Sequence, residues 1–168
     1  MIVAIGCDHA GTTVDASTPD VPCCRDQLIE YLERSGHEVL DLGPNHKNAV
    51  DYPNFAQAVC NEILEGRVDR GVIVCGTGIG MSMAANRNPG IRAAVCWSPE
   101  VAKLSRQHNN ANVLCLGQRV LNIEECFAIA DVWFSTEFSS EDRHHRRVNK
   151  MDRLGGKTAP GEPGGEND

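Results

Sequence analysis

Residues 72–82 read VIVCGTGIGMS: a short, mostly β-branched apolar run that stops at Cys75, with glycines at 76, 78 and 80 directly after it. A thiol at the end of a strand can act as a base or a nucleophile when such a loop follows. Glycines let backbone N–H groups approach a ligand closely, and a helix opening through Met81, Ser82 and Ala84 favours negative charge at its start. The same field favours a thiolate over a thiol, and the loop N–H groups come within reach of a developing oxyanion. The competing reading is a packing cysteine, since thiols in apolar runs behave as small hydrophobes. Nucleotide binding fits poorly: the loop lacks the full dinucleotide spacing, follows the third apolar run rather than the first, and carries no Gly-Lys-Ser/Thr of a P-loop.

Other groups with chemical potential have a plain reading beside the functional one. Asp8-His9, after the first apolar run, either meets a ligand or serves locally, Asp8 as a cap and His9 as loop lining. His108 lies in PEVAKLSRQHNNAN, where positions 101, 104, 105 and 108 share a helical face. It is either hydrogen-bonded on a buried face or an acid/base group that the helix C-terminus presents to a cleft. Arg143 and Arg147 are four apart, so a helix puts both on one side, as a solvated basic face or as a pair of guanidiniums for a phosphate dianion. An anion hole, a candidate thiolate, histidines and an arginine pair together point to a phosphorylated substrate.

The elements that must position these groups follow from periodicity. Apolar runs recur at 2–7, 38–42, 71–75, 91–96 and 112–116, with amphipathic stretches of helical length between them. That alternation predicts an α/β fold, a single-domain Rossmann-like three-layer sandwich around a mostly parallel five-stranded sheet. In such sheets ligands bind beyond the strand carboxyl ends, which is where Asp8-His9, Cys75 and Cys96-Trp97-Ser98 fall. Asp51 ahead of Tyr52-Pro53, and Asn122 with Glu125, mark helix starts.

The chain has 168 residues, enough for one domain with a full core. The expected domain spans 1–153, and 154–168 reads as a disordered tail, because GGKTAPGEPGGEND holds no large apolar residue. MIVAIGCDHAG lacks a secretory n-region, and no long apolar run is present, so the expected compartment is the cytoplasm, with no membrane partner. The eight cysteines form no CxxC pair and suit a reducing compartment. Adjacent Cys23 and Cys24 are poorly placed for a mutual disulfide. A net charge of −7 argues against nucleic acid as partner, although residues 143–153, RHHRRVNKMDR, gather five of the sixteen Lys and Arg. No His-His or His-carboxylate spacing resembles a metal shell, so neither metal nor other cofactor is expected.

DHAG (8–11), VDYP (50–53), CGTGIGMSMAAN (75–86), GIRAAVC (90–96), SRQHNNANVLCLGQRV (105–120) and RHHRRV (143–148) together resemble the type B ribose-5-phosphate isomerase family. That family also contains isomerases of allose and galactose 6-phosphates. The resemblance implies a metal-independent aldose–ketose isomerase of the pentose phosphate pathway, with allose 6-phosphate or another aldose 6-phosphate as the alternative substrate. A non-catalytic sugar-phosphate-binding module is the reading from another class. By resemblance Cys75 is the proton-transferring base, Gly76, Thr77, Gly78, Ile79 and Gly80 form the anion-hole loop, and His108 opens the sugar ring. Asn109, Asp8 and His9 match substrate contacts, and Arg119, Arg143 and Arg147 match phosphate ligands. Some relatives carry a glutamate base at the position of Met81. The family's homodimers or homotetramers share each active site between subunits, so His108 and some arginines are expected to act in trans. Between Gly11 and Glu38 the chain is longer than the family pattern, with 12–22 read as a loop insertion that delays the first helix until about residue 22.

Overall fold

The structure is a computed structural model and describes residues 1–12, 22–44 and 48–154. Five strands, β1 (Ile2–Cys7), β2 (Glu38–Asp41), β3 (Arg70–Cys75), β4 (Ala93–Val95) and β5 (Val113–Gly117), form one sheet in the order β2-β1-β3-β5-β4. Every neighbouring pair is parallel. Strand β4 is shorter than its apolar run because Arg92 N–H is taken by Asn112 Oδ1, at 2.7 Å.

Helices α1 (Cys24–Arg34), α2 (Tyr52–Leu64), α3 (Ile79–Ala85), α4 (Pro99–Asn109) and α5 (Ile123–Ser135) flank the sheet, and α6 (Asp142–Arg153) packs on α4. The period-2 alternation of the strands divides the core between the two faces. Val3, Ile5, Val72, Val74, Leu114 and Leu116 pack with Leu28, Ala102, Ile129 and Trp133 of α1, α4 and α5. Ala4, Ile73, Cys75, Val113 and Cys115 pack with Ala56, Val59, Met81 and Ala85 of α2 and α3. Helix α2 lies so close that a Cβ at Gly71 would come within 2.5 Å of Val59.

Connections leave β1 towards one edge of the sheet and β3 towards the other, so the crevice where the chain reverses direction opens between the carboxyl ends of β1 and β3. Helix α1 begins at Cys24, near its expected start, and Arg25 N–H donates to Gly11 O at 3.1 Å. Most of the expected 12–22 insertion, and all of the expected tail beyond Leu154, lie outside the described residues. Among the described residues no helix is long and apolar enough to cross a membrane.

The capping box is present in full: Asn122 Oδ1 accepts from Glu125 N–H and Glu125 Oε2 accepts from Asn122 N–H, each at 2.8 Å. Asp51 stands at the N-cap of α2 without a side-chain cap bond. Its carbonyl takes Asn54 N–H instead, and Pro53 has no N–H to offer. Asn122→Ala is therefore expected to lower unfolding free energy by about 1 kcal/mol in urea titration with unchanged m. Asp51→Ala should stay within about 0.5 kcal/mol of wild type.

Candidate functional site

Cys75 closes β3 on the face covered by α2 and α3 and is 6% exposed. Its Sγ accepts a hydrogen bond from Gly78 N–H at 3.1 Å. That bond depends on the left-handed turn at Gly78, φ 78°, which a residue without Cβ adopts at no steric cost. Thr77 Oγ1 accepts from Ile79 N–H at 3.4 Å, and Ser82 Oγ donates to Ile79 O at 2.8 Å, so the loop's own side chains brace it. Met81 is fully buried in the core.

The exit of β5 holds the loop from the other side. Gln118 N–H donates to Cys75 O and Arg119 N–H to Gly76 O, both at 3.0 Å. The Arg119 side chain lies over Gly76, where a Cβ would sit 3.1 to 3.3 Å from Cδ, Nε and Cζ. At Gly117 a Cβ would approach the Thr77 backbone to 2.6 Å, so only glycine lets β5 and the loop meet this closely.

The exit of β1 supplies the neighbouring wall. Asp8 N–H donates to Val74 O at 3.1 Å, which ties the buried Asp8 next to Cys75. Asp8 Oδ1 accepts from Ala10 N–H at 2.8 Å and Thr12 Oγ1 donates to His9 O at 3.0 Å, fixing the Asp8-His9 turn. Asp8, His9, Cys75, the loop from Gly76 to Gly80 and Arg119 thus stand together at the carboxyl edge of the sheet. A thiol beside backbone N–H donors and a guanidinium can remove a proton from carbon and hold the oxyanion that results. Four other buried thiols are core groups: burial pushes Cys7 up to about 12, Cys60 and Cys96 up to about 11, and Cys115 well above its ordinary range.

His108, Asn109, Arg143 and Arg147 form a second group. Helix α4 starts at the carboxyl end of β4 and runs back to the amino end of β5, so its last turn lies at the opposite edge, about 16 Å along the helix axis from its first residue. Arg106 locks that turn. Its buried guanidinium donates to Thr136 O, Asn110 Oδ1 and Ala111 O and lies 5.4 Å from the Trp133 ring centroid, and burial lowers its pKa to about 10. The His108 ring stacks on His144 of α6, with centroids 4.3 Å apart. Arg143 and Arg147 are exposed on α6, and Arg143 Nε meets Glu141 Oε2 at 2.7 Å. At its far end α6 is tied to the start of β4 by Arg92 Nη1 and Asp152 Oδ1, 3.0 Å apart.

Two residues near these groups carry no signal of their place in the sequence. The Tyr52 ring, from the start of α2, lies within 3.2 Å of where a Cβ on Gly80 would stand. Tyr52 falls within VDYP, but nothing in its spacing points at the loop. His144 reads in the sequence only as part of a basic run.

A family model described as Ribose/Galactose Isomerase matches residues 3–151. Ribose-5-phosphate isomerase B of Escherichia coli (strain K12) is 40% identical over 149 residues, covering 89% of this chain and 93% of that protein. Among solved structures, ribose-5-phosphate isomerase B of Clostridium thermocellum aligns with a TM-score of 0.83 at 40% identity, over 92% of this chain and 97% of that one. A ribose 5-phosphate isomerase of Thermotoga maritima aligns with a TM-score of 0.82 at 42% identity, over 91% and 98%. Sequence and architecture agree over nearly the whole described chain, which belongs to the ribose/galactose isomerase family.

Proposed function

We propose that this protein interconverts ribose 5-phosphate and ribulose 5-phosphate through an enediolate. The observation that carries the reading is the seat of Cys75, whose Sγ meets Gly78 N–H at 3.1 Å inside the glycine loop. As thiolate, Cys75 takes the C2 proton of the open-chain aldose and the Cys75 thiol returns it to C1, while the proton of the C2 hydroxyl passes to the C1 oxygen. The N–H groups from Gly76 to Gly80 hold the oxyanion formed between the two transfers. Asp8 and His9 contact the sugar, and Arg119, Arg143 and Arg147 hold the phosphate, whose binding energy keeps the reacting carbons in register with the thiolate.

His108 acts as the acid/base group that opens the sugar ring, with Asn109 beside it. Both lie at the sheet edge opposite Cys75, so a complete site takes His108, Asn109, Arg143 and Arg147 from a second copy of the chain. A twofold dimer then contains two such sites. Exposed Ile79, Met83, Trp97 and Val120 around the carboxyl edge give the second copy apolar surface to cover.

Cys75→Ala should lower kcat about 10²- to 10⁴-fold with folding intact by circular dichroism, as for loss of a general base. Near-normal turnover would exclude Cys75 as the base. Inactive Cys75→Ala and His108→Asn proteins, unfolded and refolded together in equal amounts, should recover about a quarter of wild-type activity, as random pairing of a twofold dimer requires. No recovery would place both residues in one subunit's site. Measured kcat/KM should favour ribose 5-phosphate over allose 6-phosphate, and the reverse preference would assign the hexose phosphate.

A further inference from the structure

His144 belongs to no role assigned above, yet it makes the closest ring contact of His108. The two imidazoles are 4.3 Å apart and inclined by only 4°. His144 is 3% exposed, whereas His108 is half-buried. His144 Nε2 is buried with no hydrogen-bond partner among the described residues, so that nitrogen does not hold the ring in place.

Both sides of the stack are anchored. Arg106 fixes the end of α4 through its three hydrogen bonds. The approach to α6 is fixed by Ser139 N–H donating to Gln107 O at 3.1 Å, by the Phe138 ring 4.4 Å from His145, and by His144 N–H donating to Glu141 O at 2.9 Å. His144 therefore presents a flat, rigid face to a ring whose orientation decides where its nitrogens point.

We propose that His144 is the positioning residue of the ring-opening step, holding the His108 imidazole in the plane from which it reaches the sugar of the neighbouring subunit. The inference rests on the assignment of ring opening to His108. Charge supports it. Burial first, then the neighbouring His108, Arg143 and Arg147, lower the pKa of His144 against the opposing pull of Glu141. A neutral ring can accept a protonated His108 on its face, whereas two cationic rings would repel each other.

The substrate pair isolates the step. Ribulose 5-phosphate carries its phosphate on the only hydroxyl able to close a five-membered ring onto its carbonyl, so it is open-chain and enolises without ring opening. In His144→Leu and His144→Asn, which remove the flat face with an apolar and a polar side chain, conversion of ribose 5-phosphate should fall about 10- to 100-fold. Exchange of the C1 proton of ribulose 5-phosphate with deuterated solvent should stay near wild type. His144→Phe, which keeps a flat ring and removes the unpartnered Nε2, should stay within about threefold on both reactions.

Equal effects of Phe and Leu, or equal loss of both reactions in a folded variant, would overturn the proposal. In the wild-type protein, the His108 ring protons should show the upfield ring-current shift of a stacked imidazole, and its absence would overturn the proposal even if no variant folded. His108→Asn is the control for the underlying reading. Loss of C1 exchange in that variant rejects ring opening by His108, whereas selective loss there with wild-type behaviour in the Leu and Asn variants rejects the role of His144 alone.

Discussion

All five strands point the same way, and the layout of the reactive groups depends on that polarity. A parallel strand needs a crossover that carries the chain back to the starting edge, here a helix in each case. Loops leaving β1, β3 and β5 therefore gather at one edge, bringing Asp8, Cys75 and Arg119 together although they are far apart in sequence. The same rule sends the last turn of α4 to the other edge. In the proposed dimer, the last turn of α4 from one copy completes the site at the carboxyl edge of the other.

Local signals are legible in the order of residues alone. The stop of a β-branched run at Cys75 followed by three spaced glycines marks a strand end, a tight loop and a helix start within nine residues. The Asn122–Glu125 pair announces a cap that both hydrogen bonds make. Spacing along the chain does not disclose what depends on packing between elements. The Tyr52 ring against Gly80 comes from docking α2 beside α3, and His144 against His108 comes from docking α6 on α4. Asp51 shows the limit within a single element: its residue type fits a cap, but the proline two places on removes one donor and the backbone claims the next.

The eight cysteines illustrate how little residue type decides and how much position does. Cys7 and Cys115 sit on strands like Cys75, yet both are fully buried, and burial pushes their thiols up. Cys75 differs in the loop that follows it, whose Gly78 amide donates to its sulfur. A shift of one residue along β3 would turn that side chain to the other face of the sheet.

The hydrogen bond from Arg25 N–H to Gly11 O holds residues 11 and 25 together at the rim of the sheet. A stretch between two residues held in contact can change length at small thermodynamic cost, since closure entropy grows only logarithmically, by about 0.6 kcal/mol for each doubling. Residues can thus be gained or lost there across evolutionary time without disturbing the register that sets Asp8 beside Cys75. The clamp makes this stretch a natural position for lineage-specific sequence, and for an engineered insertion that leaves the scaffold untouched.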